Sequence, residues 1–206
     1  MKRYLILISI IVLFHQQLPA VESPDKETLE QLGNGGIVLL DARSDEAGGS
    51  ARVQALIQAP VEAVWDIIIS CEKAFIFVKG LKKCEIIEET AGRVLIHQVV
   101  KTSWIVPTQD FVFESSRDPY REIRFQLVEG NLKAMAGKWR FTESSDGLLL
   151  DYEIRIRPGM PVPAFIVSHV IRKGMPDLIA CIRGLAGGSG SVERAQDDRE
   201  RCQGSP

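Results

Sequence analysis

The sequence predicts an α+β fold in which an antiparallel sheet is covered on one face by a single long helix. Three observations lead there. Residues from Lys82 to Arg157 read as successive strands, and the period changes at Pro158. Beyond it Ala164, Val167, Ile171, Met175, Leu178, Ile182 and Leu185 recur at steps of three or four, one helical stripe. The opposite side of that segment carries Arg172, Lys173, Asp177 and Arg183. Strands in succession followed by a helix, rather than alternating with helices, place the helix on one sheet face. Such a sandwich can be solid or hollow.

The elements follow in chain order. Met1-Lys2-Arg3, the apolar run Tyr4 to Phe14, polar His15-Gln16-Gln17 and Leu18-Pro19-Ala20 have the zones of a secretory signal, with cleavage expected after Ala20. As a helix that run reaches about 16 Å against a hydrocarbon core of roughly 30 Å, so a spanning anchor is disfavoured. No cysteine near Ala20 supports lipid anchoring. Residues 21–35 form an appendage in which Ser23 caps, Pro24 opens and Gly33 stops a short helix over 24–32.

The main domain is expected over 36–186. Gly36 to Ser44 and Ala51 to Ala59 read as strands joined by a glycine-rich loop. Pro60 starts a helix through Ser70, with Val61, Val64, Trp65 and Ile68 on one side, and a second covers Glu72 to Val78. Six strands then follow: Lys83 to Glu89, Arg93 to Ile105, Thr108 to Ser116, Tyr120 to Val128, Lys133 to Thr142 and Leu148 to Arg157. Ala91-Gly92, Asp118-Pro119, Gly130-Asn131 and Asp146-Gly147 supply turns between them. In the last strand Leu148, Leu150, Tyr152, Ile154 and Ile156 alternate with Leu149, Asp151, Glu153, Arg155 and Arg157, one face dry and one wet. The tail 187–206, with Gly188-Ser189-Gly190-Ser191 and mixed charges, reads as disordered.

Removing Lys2 and Arg3 from the 25 basic residues leaves 23 against 27 acidic ones, a net charge of −4 with no basic tract. Nucleic acid is therefore not an expected partner. In an oxidising compartment the four cysteines become informative. Cys71 ends a predicted helix and Cys84 opens a predicted strand, so a bridge would tie helical layer to sheet and stabilise by about 3 kcal/mol. Two separately buried thiols are the alternative. Cys181 falls near the apolar stripe and is assigned to the core, and Cys202 has no evident partner.

Strand, two short helices, a meander and a long final helix is the order of the helix-grip fold. Ala59-Pro60-Val61-Glu62-Ala63-Val64-Trp65 resembles the link from first strand to first helix in START-like proteins of the polyketide cyclase and coenzyme Q-binding type. Gly130-Asn131-Leu132-Lys133, Gly137-Lys138-Trp139, Tyr152 and the turn from Pro158 to Pro163 are similar to the later strands and final helix of exported bacterial members. The resemblance spans roughly residues 33–186. It implies a sheet wrapped around the final helix with an apolar cavity between them.

The residues themselves give little catalytic chemistry. His97 and His169 have no metal-ligand spacing, and no nucleophile elbow is present. His97 reads as a surface residue, whereas His169 stands where it can reach a cavity mouth. Glu88-Glu89 and Asp151 with Glu153 read as solvated faces. Gly33-Asn34-Gly35-Gly36 precedes a strand and so lacks the helix N-terminus of a phosphate site. Candidate cavity-lining residues are Trp65, Phe75, Phe77, Trp104, Phe125 and Met135 on the earlier elements, with Trp139, Tyr152, Phe165, His169 and Met175 later. Taken singly, each aromatic reads first as ordinary core packing. Gly174-Met175-Pro176 interrupts the final helix, because Pro176 cannot donate to the carbonyl of Arg172. It reads as a static kink or as a hinge.

The expected function is a periplasmic binding protein or carrier for a lipid or isoprenoid quinone, with no cofactor and no metal, touching membranes transiently. Nothing in the pattern sets an oligomeric state. An enzyme of cyclase or dehydratase type, with His169, Tyr152 and Asp110 as candidates, and an interaction module with a filled core are the alternatives.

Overall fold

A computed structural model describes residues 26–45, 48–102 and 106–203. The expected signal segment 1–20 and Trp104 lie outside the described residues. Helix α1 (Lys26–Gly33) leads into β1 (Ile37–Asp45) and β2 (Gly48–Ile57), followed by α2 (Val61–Ile68) and α3 (Cys71–Phe77). Strands β3 (Leu81–Thr90), β4 (Arg93–Val100), β5 (Gln109–Asp118), β6 (Glu122–Gly130), β7 (Leu132–Ser144) and β8 (Gly147–Pro158) form the meander. The final helix comprises α4 (Ala164–His169), a π-helical turn (Val170–Gly174) and α5 (Met175–Leu185), and α6 (Val192–Gln203) follows.

The eight strands make one curved antiparallel sheet in the order β1-β2-β8-β7-β6-β5-β4-β3. The first hairpin thus lies beside the last strand, with Val53 opposite Tyr152 and Ala55 opposite Leu150. The chain must cross from β2 to the far edge at β3, and α2 and α3 make that crossing. Ser70 caps α3 by accepting a hydrogen bond from the Lys73 backbone N–H at 3.2 Å. A disulfide joins Cys71 and Cys84 with Cα atoms 5.4 Å apart, tying α3 to β3; Cys71 opens α3 rather than ending the helix before it.

The expected alternation of β8 puts Leu148, Leu150 and Tyr152 in the core. Its wet face holds an exception. Asp151 is only 7% exposed, gripped by Arg52 Nη2 at 2.7 Å and Gln54 Nε2 at 3.0 Å, so it is not a solvated carboxylate. Burial alone would raise the Asp151 pKa; hydrogen bonds from Arg52 and Gln54, with the charges of Arg52 and Arg140, bring it below the ordinary carboxylate value.

The segment after Gly187 corrects the expectation of disorder, because α6 occupies it and packs on α5. What holds α6 is not an apolar stripe. Cys202 forms a disulfide with Cys181, and Asp198 receives two bonds from Arg183, Nε to Oδ2 at 2.8 Å and Nη2 to Oδ1 at 2.7 Å. Arg194 Nη2 donates to the Asn34 carbonyl at 2.9 Å, so the end of the chain also clasps the α1 turn. The polar side of α5 is therefore covered. Asp177 and Arg183 are buried at 6% and 3% exposure, while Arg172 and Lys173, upstream of α6, stay in water.

Pro176 sits at the start of α5, and the helix continues through it by way of the π turn. That turn widens the ring of hydrogen bonds where the proline nitrogen has none to give. It also inserts a residue into the helical count, so positions beyond it are rotated relative to an unbroken α-helix. Ile179 is consequently fully buried, and Leu185, at the end of the expected stripe, is 37% exposed.

Candidate functional site

A cavity of about 360 Å³ lies between the sheet and the final helix. Its roof is the second half of α4, the π turn and the start of α5, through Ile166, Val167, Val170, Ile171, Met175 and Leu178. Its floor comes from inward-facing positions of β4 to β8. On β5 the two-residue period brings Gln109, Phe111, Phe113, Ser115 and Arg117 to the same face. Ile68 and Ile69 at the end of α2, with Ala74 and Phe77 of α3, close one side.

An aromatic ladder crosses the floor. Trp139 and Tyr152, paired across β7 and β8, stack at 3.7 Å with planes 11° apart. Tyr152 is 6.3 Å from Phe125, which is 6.2 Å from Phe113, which is 6.1 Å from Phe111. Gly137 makes the ladder possible. A Cβ there would stand 2.4 Å from Phe125 Cζ and 2.3 Å from the Glu153 carbonyl oxygen. At the roof Gly49 serves similarly, since a Cβ would meet Ile171 Cδ1 at 2.4 Å. The helix approaches β2 this closely only because the side-chain position at Gly49 is empty.

Polar groups on the wall are few. Tyr152 is buried, and burial pushes its phenol well above the ordinary value, so it stays neutral. Gln98 Nε2 points toward Cys84 Sγ at 3.6 Å. Lys79 Nζ is held by Asp177 Oδ2 at 2.8 Å. Arg117 has a side chain 13% exposed, with Glu89 Oε1 at 3.5 Å.

Of the candidate lining residues, Phe77, Phe125, Met135, Trp139, Tyr152 and Met175 line the cavity. Trp65 does not: it is buried against Tyr120 and Phe141, ring centroids 5.5 and 5.3 Å away, in a filled part of the core. Phe75 and Phe165 point outward at 49% and 72% exposure, and His169 is exposed. In seven-residue α3, Ala74 and Phe77 take the buried side and leave Phe75 outside. Asp110 is also outside the cavity, bound to His97 Nε2 at 2.8 Å on the outer sheet face, where Lys83 Nζ lies 3.1 Å from His97 Nδ1.

Phe113, Ser115, Arg117 and Gln98 are lining residues absent from the sequence-derived set. A signal for three of them was present in β5, where Ser115 and Arg117 continue the face of Phe111 and Phe113. An arginine on the strand face that carries Phe111 and Phe113 is the mark of a polar group turned inward.

The family described as polyketide cyclase / dehydrase and lipid transport matches residues 57–183. No curated protein matches the sequence. Among solved structures, a Thermus thermophilus protein is similar at a TM-score of 0.53 and 18% identity, over 73% of this chain and 99% of that one. The Zhui aromatase/cyclase from a Streptomyces species has a TM-score of 0.53 and 20% identity, over 70% of this chain and 96% of its own. A STAR-related lipid transfer protein fragment from Xanthomonas axonopodis reaches 0.58 at 14% identity, over 72% and 97%. At these identities the likeness is one of fold. With the matching segment running from the end of β2 into α5, the chain belongs to the polyketide cyclase / dehydrase and lipid transport family.

Proposed function

We propose that this protein is an exported, periplasmic carrier or binding protein for a hydrophobic molecule of the lipid or isoprenoid quinone kind. The observation that carries this reading is the cavity. At about 360 Å³ it falls within the roughly 300 to 1,000 Å³ range of small-molecule sites, and its wall is almost wholly apolar. Each CH₂ withdrawn from water there contributes about 0.8 kcal/mol, so a chain can be held with few polar contacts. Two disulfides suit an oxidising compartment, in agreement with the secretory pattern of residues 1–20. Among the described residues no helix is long and apolar enough to cross a membrane. The description of the Xanthomonas neighbour as a lipid transfer protein agrees with this reading.

The roof supports a route for the ligand. Met160, Phe165 and Val170 are exposed at 51%, 72% and 38%, next to exposed Arg172 and Lys173, a surface suited to brief contact with a membrane. Organic extraction of protein purified from its native compartment, followed by mass spectrometry, should recover a stoichiometric apolar ligand. Repeated recovery of empty protein, together with no binding of a fluorescent lipid, would sink the carrier.

A cyclase or dehydratase reading rests on Tyr152 alone among its candidates, the one placed on the cavity wall. A neutral phenol stacked on Trp139 can donate a proton or a hydrogen bond. Loss of turnover in Tyr152→Phe with binding retained would favour it.

A further inference from the structure

We propose that the cavity takes an amphipathic molecule bearing a carboxylate, and that the Arg117 guanidinium receives that group. The inference rests on the carrier reading and names the class of its ligand. Arg117 stands at one end of the inward face of β5, eight residues from Gln109, which is roughly 27 Å at 3.4 Å per residue. Phe111 and Phe113 between them offer only apolar surface. A molecule lying along this strand therefore meets Arg117 at one end and hydrocarbon along most of its length.

The pairing of Arg117, whose side chain is 13% exposed, differs from that of buried Arg183. Arg183 matches Asp198 with bonds of 2.8 and 2.7 Å and gives a third, from Nη1, to the Gly35 carbonyl at 2.9 Å. Arg117 has Glu89 at 3.5 Å, a carboxylate that is itself 59% exposed, and its buried Nε has no hydrogen-bond partner. A guanidinium has five donors in a planar fork that fits a carboxylate with two parallel bonds. Leaving such donors buried and unmade is costly. Burial lowers the Arg117 pKa and Glu89 opposes this, but an arginine keeps its charge at neutral pH. A positive charge at the end of an apolar channel rewards an acidic head group over a neutral one. Ser115, 3% exposed and two residues back on the same face, adds a hydroxyl beside it.

The test compares two probes of one shape, cis-parinaric acid and its methyl ester, titrated by fluorescence into wild-type protein, Arg117→Met and Glu89→Gln. Wild type should bind the acid about tenfold more tightly than the ester, the scale of a charge-assisted pair. Arg117→Met should bring the two together by weakening the acid alone. Glu89→Gln, which removes the competing carboxylate from a largely exposed position, should widen the preference. Equal binding of acid and ester by wild type overturns the proposal and leaves the carrier reading standing. Binding of neither probe overturns both. Should Arg117→Met fail to fold, the sign of the Glu89→Gln change decides: a preference that narrows or stays unchanged refutes the assignment.

Discussion

At the end of the sandwich built by β2, β8, α2 and the second half of α5, Val53, Ala55, Ile57, Leu150, Ile179 and Ile182 are completely enclosed. At the end built by β4, β5, β6, α4 and the π turn, the facing side chains leave a cavity of about 360 Å³. One helix serves both. Its C-terminal half is pinned by the Cys181–Cys202 disulfide and by the Arg183–Asp198 pair beneath α6, whereas its N-terminal half rests on the small cluster of Ala51, Val162, Val167 and Ile171. Charge follows the same division. At the solid end Arg183 and Asp151 are closely matched; at the hollow end Arg117 is not. The difference teaches that stability and capacity are assigned to separate parts of one fold.

The largest break in this contrast should come from Asp198→Ala. It strands Arg183, 3% exposed, as an unpaired buried charge, and loss of one partner of such a pair costs about 3 to 5 kcal/mol. Urea unfolding should show a large fall in midpoint. An unchanged midpoint would mean that α6 does not anchor the helix. Next in size is the contrast between Ile179→Ala and Met175→Ala. Ile179 is fully enclosed, and its truncation should cost about 3 kcal/mol through lost contacts and a new void. Met175 already borders a void, so its truncation should cost less than half as much. Equal losses would show that the two ends are packed alike.

A smaller effect concerns acid. The pKa of Asp151 in the folded chain lies below its unfolded value of about 3.9. The folded state therefore gains stability from this carboxylate above pH 4, and loses it as pH falls through the lowered pKa. Asp151→Asn should remove that part of the acid slope. An identical slope in wild type and variant would show that Arg52 and Gln54 do not hold the carboxylate as described.

The solid end was the more legible in sequence. Leu148 and Leu150 announce their face by alternation, and Val61, Val64 and Trp65 by helical spacing. The clasp was not, because α6 has no apolar stripe; its order comes from Cys181, Arg183 and Asn34, the last being 160 residues from its partner Arg194. Nor could periodicity divide the inward aromatics into cavity and core. Trp65 and Trp139 both point inward, and only the packing of Tyr120 and Phe141 around Trp65 fills its side. Phe75 stands on a helix of seven residues, too short for its pattern to fix which side is buried, and Phe165 lies off the stripe of Val167 and Ile171.

The finest discrimination lies at Gly174. Its backbone is helical, φ −66° and ψ −36°, and a Cβ there would meet only Val170 Cγ1 at 3.8 Å, an ordinary contact. Nothing in the folded state thus requires glycine. Gly174→Ala should raise stability by about 0.5 to 1 kcal/mol, chiefly by restricting the unfolded chain. The π turn that ends at Gly174 already holds a helix around the missing donor of Pro176, so added stiffness falls where α4 joins the anchored α5. If the roof opens by flexing there, release of a bound fluorescent lipid should slow while its affinity changes little, since the roof gains only one methyl group. Stopped-flow displacement by excess unlabelled lipid reads the release rate directly. A variant that gains stability and releases the probe at the wild-type rate would make the π turn a static accommodation of Pro176, and the mobile part of the roof would then have to be sought in α4 itself.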